Sequence, residues 1–278
     1  MIELHAHTTA SDGTLEPAAL VAYAATCEIR TLAVTDHDTL GGCEAAIRSG
    51  SDVGVRVVPG IELSVLYPTG TFHLLGYLPD TTPAPLMARM DEIASARDRR
   101  NRTIVDRLHD LGAAIEWEEV AARTTGRIGR PHIADALVAA GYATDRIDAF
   151  DRYLGDGAPA FLAAGSIPPA EAIALVKACG GVTAIAHPAT LGHDLATLDR
   201  VVGELAAAGL DGLEAHRGDA PPEEQATYRA LAERHGLIPT GGSDFHGPAT
   251  EGSGRILGET GAPGARVDDL ERLLARIG

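Results

Sequence analysis

Lysine is almost absent from this chain: Lys177 is the single one in 278 residues. Cysteine is scarce too. Cys27, Cys43 and Cys179 are odd in number, far apart and in no C-x-x-C spacing, which excludes a disulfide framework and a thiolate zinc site and leaves three small buried hydrophobes. No apolar stretch approaches the ~20 residues that a membrane span needs. No basic segment followed by an apolar core precedes the first candidate functional residue, His5, so the reading is a cytoplasmic protein without a signal peptide or a membrane partner. Basic residues number 23 against 39 acidic, a formal charge of −16. That excludes a protein that coats duplex DNA, whose affinity comes from many cations on phosphates. A small anionic substrate stays compatible, because bound cations offset the carboxylates of a metal site.

What is present is a rhythm. The first 80 residues alternate short apolar or β-branched runs with helical stretches, the signature of βα units around a parallel sheet. Strands are predicted at residues 2–4, 31–35, 55–58, 61–66 and 71–78, the last two as a hairpin turning at Pro68-Thr69-Gly70. Helices are predicted from Pro17, where proline suits a first turn, and after Gly42. Between about residues 83 and 159 the strand signals vanish, and four helices are predicted near 86–111, 117–124, 131–140 and 145–154. The βα rhythm then returns, with helices at 169–179, 195–208 and 223–235 and strands at 182–186, 212–215 and 237–240. The chain therefore divides into an α/β part, 1–82 and 160–278, and an inserted helical cap, 83–159. The arginine-rich run 97–102 has Asp91, Glu92, Asp98 and Asp106 within helical reach and reads as a solvated face laced with i, i+4 ion pairs.

The polar clusters fall at predicted strand ends. In order they are His5 and His7, Asp12, Asp36-His37-Asp38, Glu62, His73, His187, His216 and Asp244-Phe245-His246. In an α/β barrel the C-terminal strand ends converge on one face. Residues two apart on a strand point the same way, which pairs His5 with His7 and Asp244 with His246. One H-x-H alone is a weak metal signal. Recurrence strengthens it, because burying this many ionisable groups without a cation is prohibitively costly. Mixed imidazole and carboxylate ligands suit zinc, manganese or iron, whereas calcium and magnesium favour oxygen alone. His109 and His235 lie in charge-rich helices and read as solvated; His193, beside Gly192, reads as a turn residue.

The runs HAHTTASDGT (5–14), TDHDT (35–39), GIEL (60–63), TFHLLGY (71–77), IAHP (185–188) and GSDFHG (242–247) resemble the successive motifs of the PHP family, named for polymerase and histidinol phosphatase. The resemblance implies a distorted (βα)7 TIM-like barrel carrying two or three divalent metal ions, Mn, Fe or Zn, on its C-terminal face. By motif, one ion would take His5, His7, Glu62 and Asp244. A second would share Glu62 and add His73 and His187, and a third would take Asp12, His37 and His246. In the cap, RIGRPHIADAL (127–137) and YLGDGAPAFL (153–162) are similar to segments of PHP enzymes acting on nucleotides, where an Arg and a His hold phosphate; Arg130 and His132 occupy those positions. This chain has Ala158 where such relatives carry Lys, and Ala189-Thr190-Leu191 where they carry an Arg.

The activity implied is hydrolysis of a phosphomonoester of a small, nucleotide-like substrate by a metal-bridged hydroxide. Arg130, His132 and Arg217 would hold the phosphate, a task that suits a bidentate guanidinium. His216 is the candidate acid for the leaving alkoxide, and Asp36 and Glu214 are candidates to orient the ligating histidines. The alternative in the same family is a 3′,5′-nucleoside bisphosphate phosphatase or a 5′-3′ exoribonuclease. Histidinol phosphatase, an amidohydrolase and a non-catalytic metal-binding module rank lower. Many amidohydrolases bridge their metals with a carbamylated lysine, and the only lysine here lies on a predicted helix instead of a strand end.

Overall fold

The computed structural model describes residues 1–67, 72–123, 128–155, 157–162, 167–248, 257–258 and 267–277. Contacts divide the chain into two units, Met1–Met87 with Ile167–Gly278, and Ala88–Ser166.

The first unit is built on seven strands: β1 (Ile2–Glu3), β2 (Thr31–Val34), β3 (Arg56–Ser64), β4 (His73–Tyr77), β5 (Val182–Ile185), β6 (Gly212–His216) and β7 (Ile238–Gly241). They form one sheet in chain order. All neighbours are parallel except β4, which runs antiparallel to both β3 and β5. Beyond the outer strands, His7 N–H donates to Phe245 O at 2.8 Å, beside a parallel bridge between Ala6 and Phe245. The sheet therefore nearly closes, giving the distorted TIM-like barrel of seven staves. Helices α1 (Pro17–Thr26) and α2 (Cys43–Val53) lie between the first strands. Here α3 (Ala84–Asp110), α4 (Trp117–Ala121), α5 (Arg130–Ala139) and α6 (Arg146–Ala149) follow β4 in the chain, and α7 (Pro169–Ala178), α8 (Leu195–Ala207), α9 (Pro222–Arg234) and α10 (Val267–Leu274) complete it. Proline in the first turn starts α1, α7 and α9, where its missing N–H costs nothing.

Two expectations change. Residues 55–58 and 61–66 are one strand, β3, not two. Pro59-Gly60 looked like a break because proline cannot donate to a ladder. The strand instead changes partner there: it pairs with β2 through residues 56–59 and with β4 from Gly60 onward, so the missing donor falls at the junction. The hairpin turn at Pro68-Thr69-Gly70 lies outside the described residues. The second change is α10, which the sequence reading missed. Its Leu270, Leu273 and Leu274 join Ile2, Leu4, Val58, Leu75, Tyr77, Val182 and Ile238 in the barrel core. Truncating the fully buried Leu273 to Ala is expected to cost about 2–5 kcal/mol, read as a lower midpoint in urea.

The second unit has its own core of Ile104, Leu108, Ile115, Val120, Ile133, Leu137 and Leu154 from α3 to α5 and the π-helical turn Phe150–Leu154.

Candidate metal centre

Eight of the nine predicted ligands sit in or just after a strand, and Asp12 lies in the loop between β1 and α1. His5 and His7 follow β1, His37 follows β2, Glu62 lies in β3, His187 follows β5, and Asp244 and His246 follow β7. His73 opens β4, which runs the other way, so its first residue reaches the same face. Glu62 is the hub. Its Oε2 lies 3.2 Å from His5 Nε2, 3.1 Å from His7 Nε2 and 3.2 Å from His37 Nδ1, and its Oε1 lies 2.8 Å from both His73 Nδ1 and His187 Nε2. Asp244 Oδ1 is 3.3 Å from His5 Nε2 and 3.2 Å from His7 Nε2. Asp12 reaches His7, His37 and His246 at 3.5, 3.6 and 3.4 Å.

Three groups of donor atoms converge closely enough to share a cation: His5, His7, Glu62 and Asp244; His7, Asp12, His37 and His246; and His37, Glu62 and His73. His187 Nε2 adds to the last neighbourhood, 3.3 Å from His73 Nδ1. The donor set fits divalent metal. His5 Nε2, both nitrogens of His7, His37 Nδ1 and Glu62 Oε2 are buried with no hydrogen-bond partner among the described residues, yet His5 Nε2, His7 Nε2 and His37 Nδ1 face Glu62 Oε2 at 3.1–3.2 Å and His7 Nδ1 faces Asp12 Oδ1 at 3.5 Å. Ligands at about 2.1 Å from one cation stand about 3.0 Å apart in an octahedron and about 3.4 Å apart in a tetrahedron.

The electrostatics agree. Burial works against the charged form of His5, but Asp244, Glu62 and Glu214 outweigh it and raise its pKa well above the usual value. His7, opposed by the same burial, is raised to about 9 by Asp244 and Glu62. Burial pushes Glu62 and Asp244 upward, and the facing histidines hold both below the carboxylate range. The cavity wants positive charge.

Supporting residues fix this geometry. Glu3, fully buried, accepts from His5 N and Ser243 N at 3.0 and 2.9 Å and from Gly258 N at 3.1 Å. It pins the H-x-H segment to the one carrying Asp244; its period-two spacing with His5 and His7 was the signal available in sequence. Asp36 behaves differently from expectation. Its carboxylate accepts from Thr8 N, Thr8 Oγ1 and Ser11 Oγ at 2.8, 2.7 and 2.7 Å, so it shapes the loop before Asp12. His216, the candidate acid, lies outside the three donor groups. A register shift between Glu214 and His216 turns it toward Gln225 and Arg229 of α9 and Asp269 of α10, and burial lowers its pKa. Arg217 lines a small cleft with His187 and Glu214, its guanidinium bound to Asp219 at 3.0 and 2.6 Å. His193 bonds Tyr67, while His109 and His235 are anchored to Ile115 O and Asp199 instead of simply solvated.

Within the second unit, Arg130 donates to Leu154 O at 3.1 Å and lies over the Phe150 and Phe161 rings. His132 Nδ1 accepts from Gly129 N at 3.0 Å, which leaves its proton on Nε2. Three arginines of the run 97–102 depart from the expected pairing. Among the described residues Arg99, Arg100 and Arg102 make no ion pair; Arg102 stacks on Trp117, and Arg100 donates twice to Asn101 Oδ1. Buried Asn101 in turn donates to Ile128 O at 2.8 Å, fixing that stretch of α3 beside the start of α5. Burial, then Arg130 and Arg97, lowers the Arg100 pKa to about 10.

Three histidine and carboxylate groups on one face of a nearly closed, mixed barrel define a metal-dependent hydrolase. The PHP domain profile matches residues 3–142. The chain is 33% identical over 255 residues to the 5′-3′ exoribonuclease Rnm of Escherichia coli, covering 88% of this chain and 85% of that one. It is 31% identical over 268 residues to a 3′,5′-nucleoside bisphosphate phosphatase of Chromobacterium violaceum, covering 93% and 91%. A crystal structure of a candidate metal-dependent phosphoesterase from Bifidobacterium adolescentis superposes with a TM-score of 0.78 at 33% identity, covering 99% and 96%. The chain belongs to the PHP family, and it is a metal-dependent phosphoesterase.

Proposed function

We propose that this enzyme hydrolyses the phosphomonoester of a small, nucleotide-like substrate, using two or three divalent cations of the Mn, Fe or Zn type held by His5, His7, Asp12, His37, Glu62, His73, His187, Asp244 and His246. The observation that carries the reading is Glu62, one buried carboxylate ringed by five imidazoles. Cations held there supply water acidification and neutralisation of phosphoryl charge. A neutral imidazole has one lone pair, so His7 and His37 each serve one cation and donate N–H toward the neighbouring group. The cavity of about 260 Å³ lined by His37, Glu62, His73, His187, Thr190, Asp244 and His246 accommodates a phosphate group.

Arg217 presents its guanidinium fixed by Asp219. Arg130 and His132, both in the second unit, are the phosphate-binding candidates of the helical insertion expected over residues 83–159, which we read as the substrate-selecting cap. His216 is not retained as the acid, because it faces α9 and α10. One observation favours the second reading, a 3′,5′-bisphosphate substrate. Arg100, with Arg97 and Arg130 near it in the same unit and no ion pair of its own among the described residues, suits an additional phosphate. A cytoplasmic setting belongs to the same reading; no described helix is long and apolar enough to cross a membrane.

The test is phosphate release from a panel of 3′- and 5′-mononucleotides, nucleoside 3′,5′-bisphosphates, histidinol phosphate and short RNA. Monophosphate turnover is expected, with Arg130→Met raising KM about tenfold or more through loss of one charged hydrogen-bond donor. Preference for bisphosphates, abolished by Arg100→Met, would establish the second reading. Turnover of histidinol phosphate alone would refute both.

A further inference from the structure

We infer that Thr190 and Glu214 are positioning residues that clamp His187 from two sides, and that Glu214 ties the cation group around His5 to the one that includes His187. The inference rests on the metal-binding reading above. His187 is held at φ 28, ψ 64, on a backbone that non-glycine residues rarely adopt. Such a conformation persists only where surrounding bonds determine it.

Two bonds do so. The His187 N–H donates to Glu214 Oε2 at 2.6 Å, and the ring Nδ1 lies 2.9 Å from Thr190 Oγ1. The Thr190 hydroxyl donates its one hydrogen to the His187 carbonyl at 2.9 Å, so toward the ring it accepts. A cation held at Nε2, which faces Glu62 Oε1 at 2.8 Å, would need the lone pair there, and the proton would then sit on Nδ1 with Thr190 Oγ1 as its acceptor. That tautomer is the one a cation requires, and a hydrogen bond to the far nitrogen is the usual means of fixing it.

The other oxygen of Glu214 does the same for a different ligand. Glu214 Oε1 lies 3.0 Å from His5 Nδ1, leaving His5 Nε2 aimed between Glu62 and Asp244. Glu214 is buried at 1% exposure, so its two oxygens are held by these bonds. One carboxylate thus orients an imidazole in one cation group and a strained backbone in another.

The test titrates metal-free protein with Mn²⁺ and reads stoichiometry and affinity by calorimetry, independent of activity. Thr190→Val keeps the side-chain shape at an exposed position and removes only the hydroxyl. It is expected to weaken one ion by about 10- to 100-fold while the others bind as in wild type, and Thr190→Ser is expected to restore the affinity. Glu214→Gln, which keeps a single acceptor, is expected to weaken two ions. Wild-type affinity for every ion in Thr190→Val would overturn the positioning role, and loss of only one ion in Glu214→Gln would overturn the coupling. A wild-type protein that takes up no Mn²⁺, Fe²⁺ or Zn²⁺ would instead overturn the metal reading itself.

Discussion

Replacing Glu62 with glutamine is expected to lower phosphate release by about 10³-fold or more and to remove two cations from the protein. The size follows from the position. Glu62 supplies one oxygen to His5, His7 and His37 and the other to His73 and His187, all within 3.2 Å. Glutamine has the same shape, so the packing around the buried side chain survives. It carries no charge, however, and its amide turns donors toward atoms that must offer lone pairs to a cation. Metal content by elemental analysis separates this loss from unfolding, and circular dichroism controls for the fold. Full activity in the variant would remove Glu62 from the centre of the mechanism.

Removing the metal from the intact enzyme is expected to destabilise it by about 10–20 °C. A ligand at about 100 times its Kd stabilises the folded state by about 2.7 kcal/mol, so two ions supply about 5 kcal/mol. For a chain of this size each kcal/mol moves the midpoint by about 2–4 °C. The local cause is the set of buried donors that lack partners, His5 Nε2, both His7 nitrogens, His37 Nδ1 and Glu62 Oε2, whose desolvation a cation would offset. Calorimetric scans with and without chelator measure the shift, and re-addition of Mn²⁺ should reverse it. An unchanged midpoint would mean that these atoms are satisfied by other means.

The βα rhythm and the ligand positions were legible in the sequence because both leave periodic traces, and the barrel was what the family resemblance implied. Strands alternating with helices announced the sheet, and histidines beside carboxylates at strand ends announced the centre. Pro59-Gly60 misled because a change of pairing partner inside one strand looks like a break. His216 was singled out because it stands at a predicted strand end like the ligating histidines, and the register shift between Glu214 and His216 is not visible in a strand pattern. Glu3 went unnoticed as a support because its partners, Ser243 and Gly258, are more than 200 positions away. Arg99, Arg100 and Arg102 depart from the expected pairing because helical spacing puts acids within reach without requiring them to pair. The Asn101 bond to Ile128, which sets Arg100 near Arg130, is a tertiary contact that no spacing rule reveals.

The central claim is that the ring of ligands around Glu62 holds divalent cations that hydrolyse a phosphate ester. Its most direct test is inorganic phosphate released from a nucleoside monophosphate by metal-stripped protein as Mn²⁺, Fe²⁺ or Zn²⁺ is restored. Release that is absent without metal and rises to a plateau as two or three ions bind per chain is the predicted result. No release with any of the three ions, alongside hydrolysis of an amide, would contradict it.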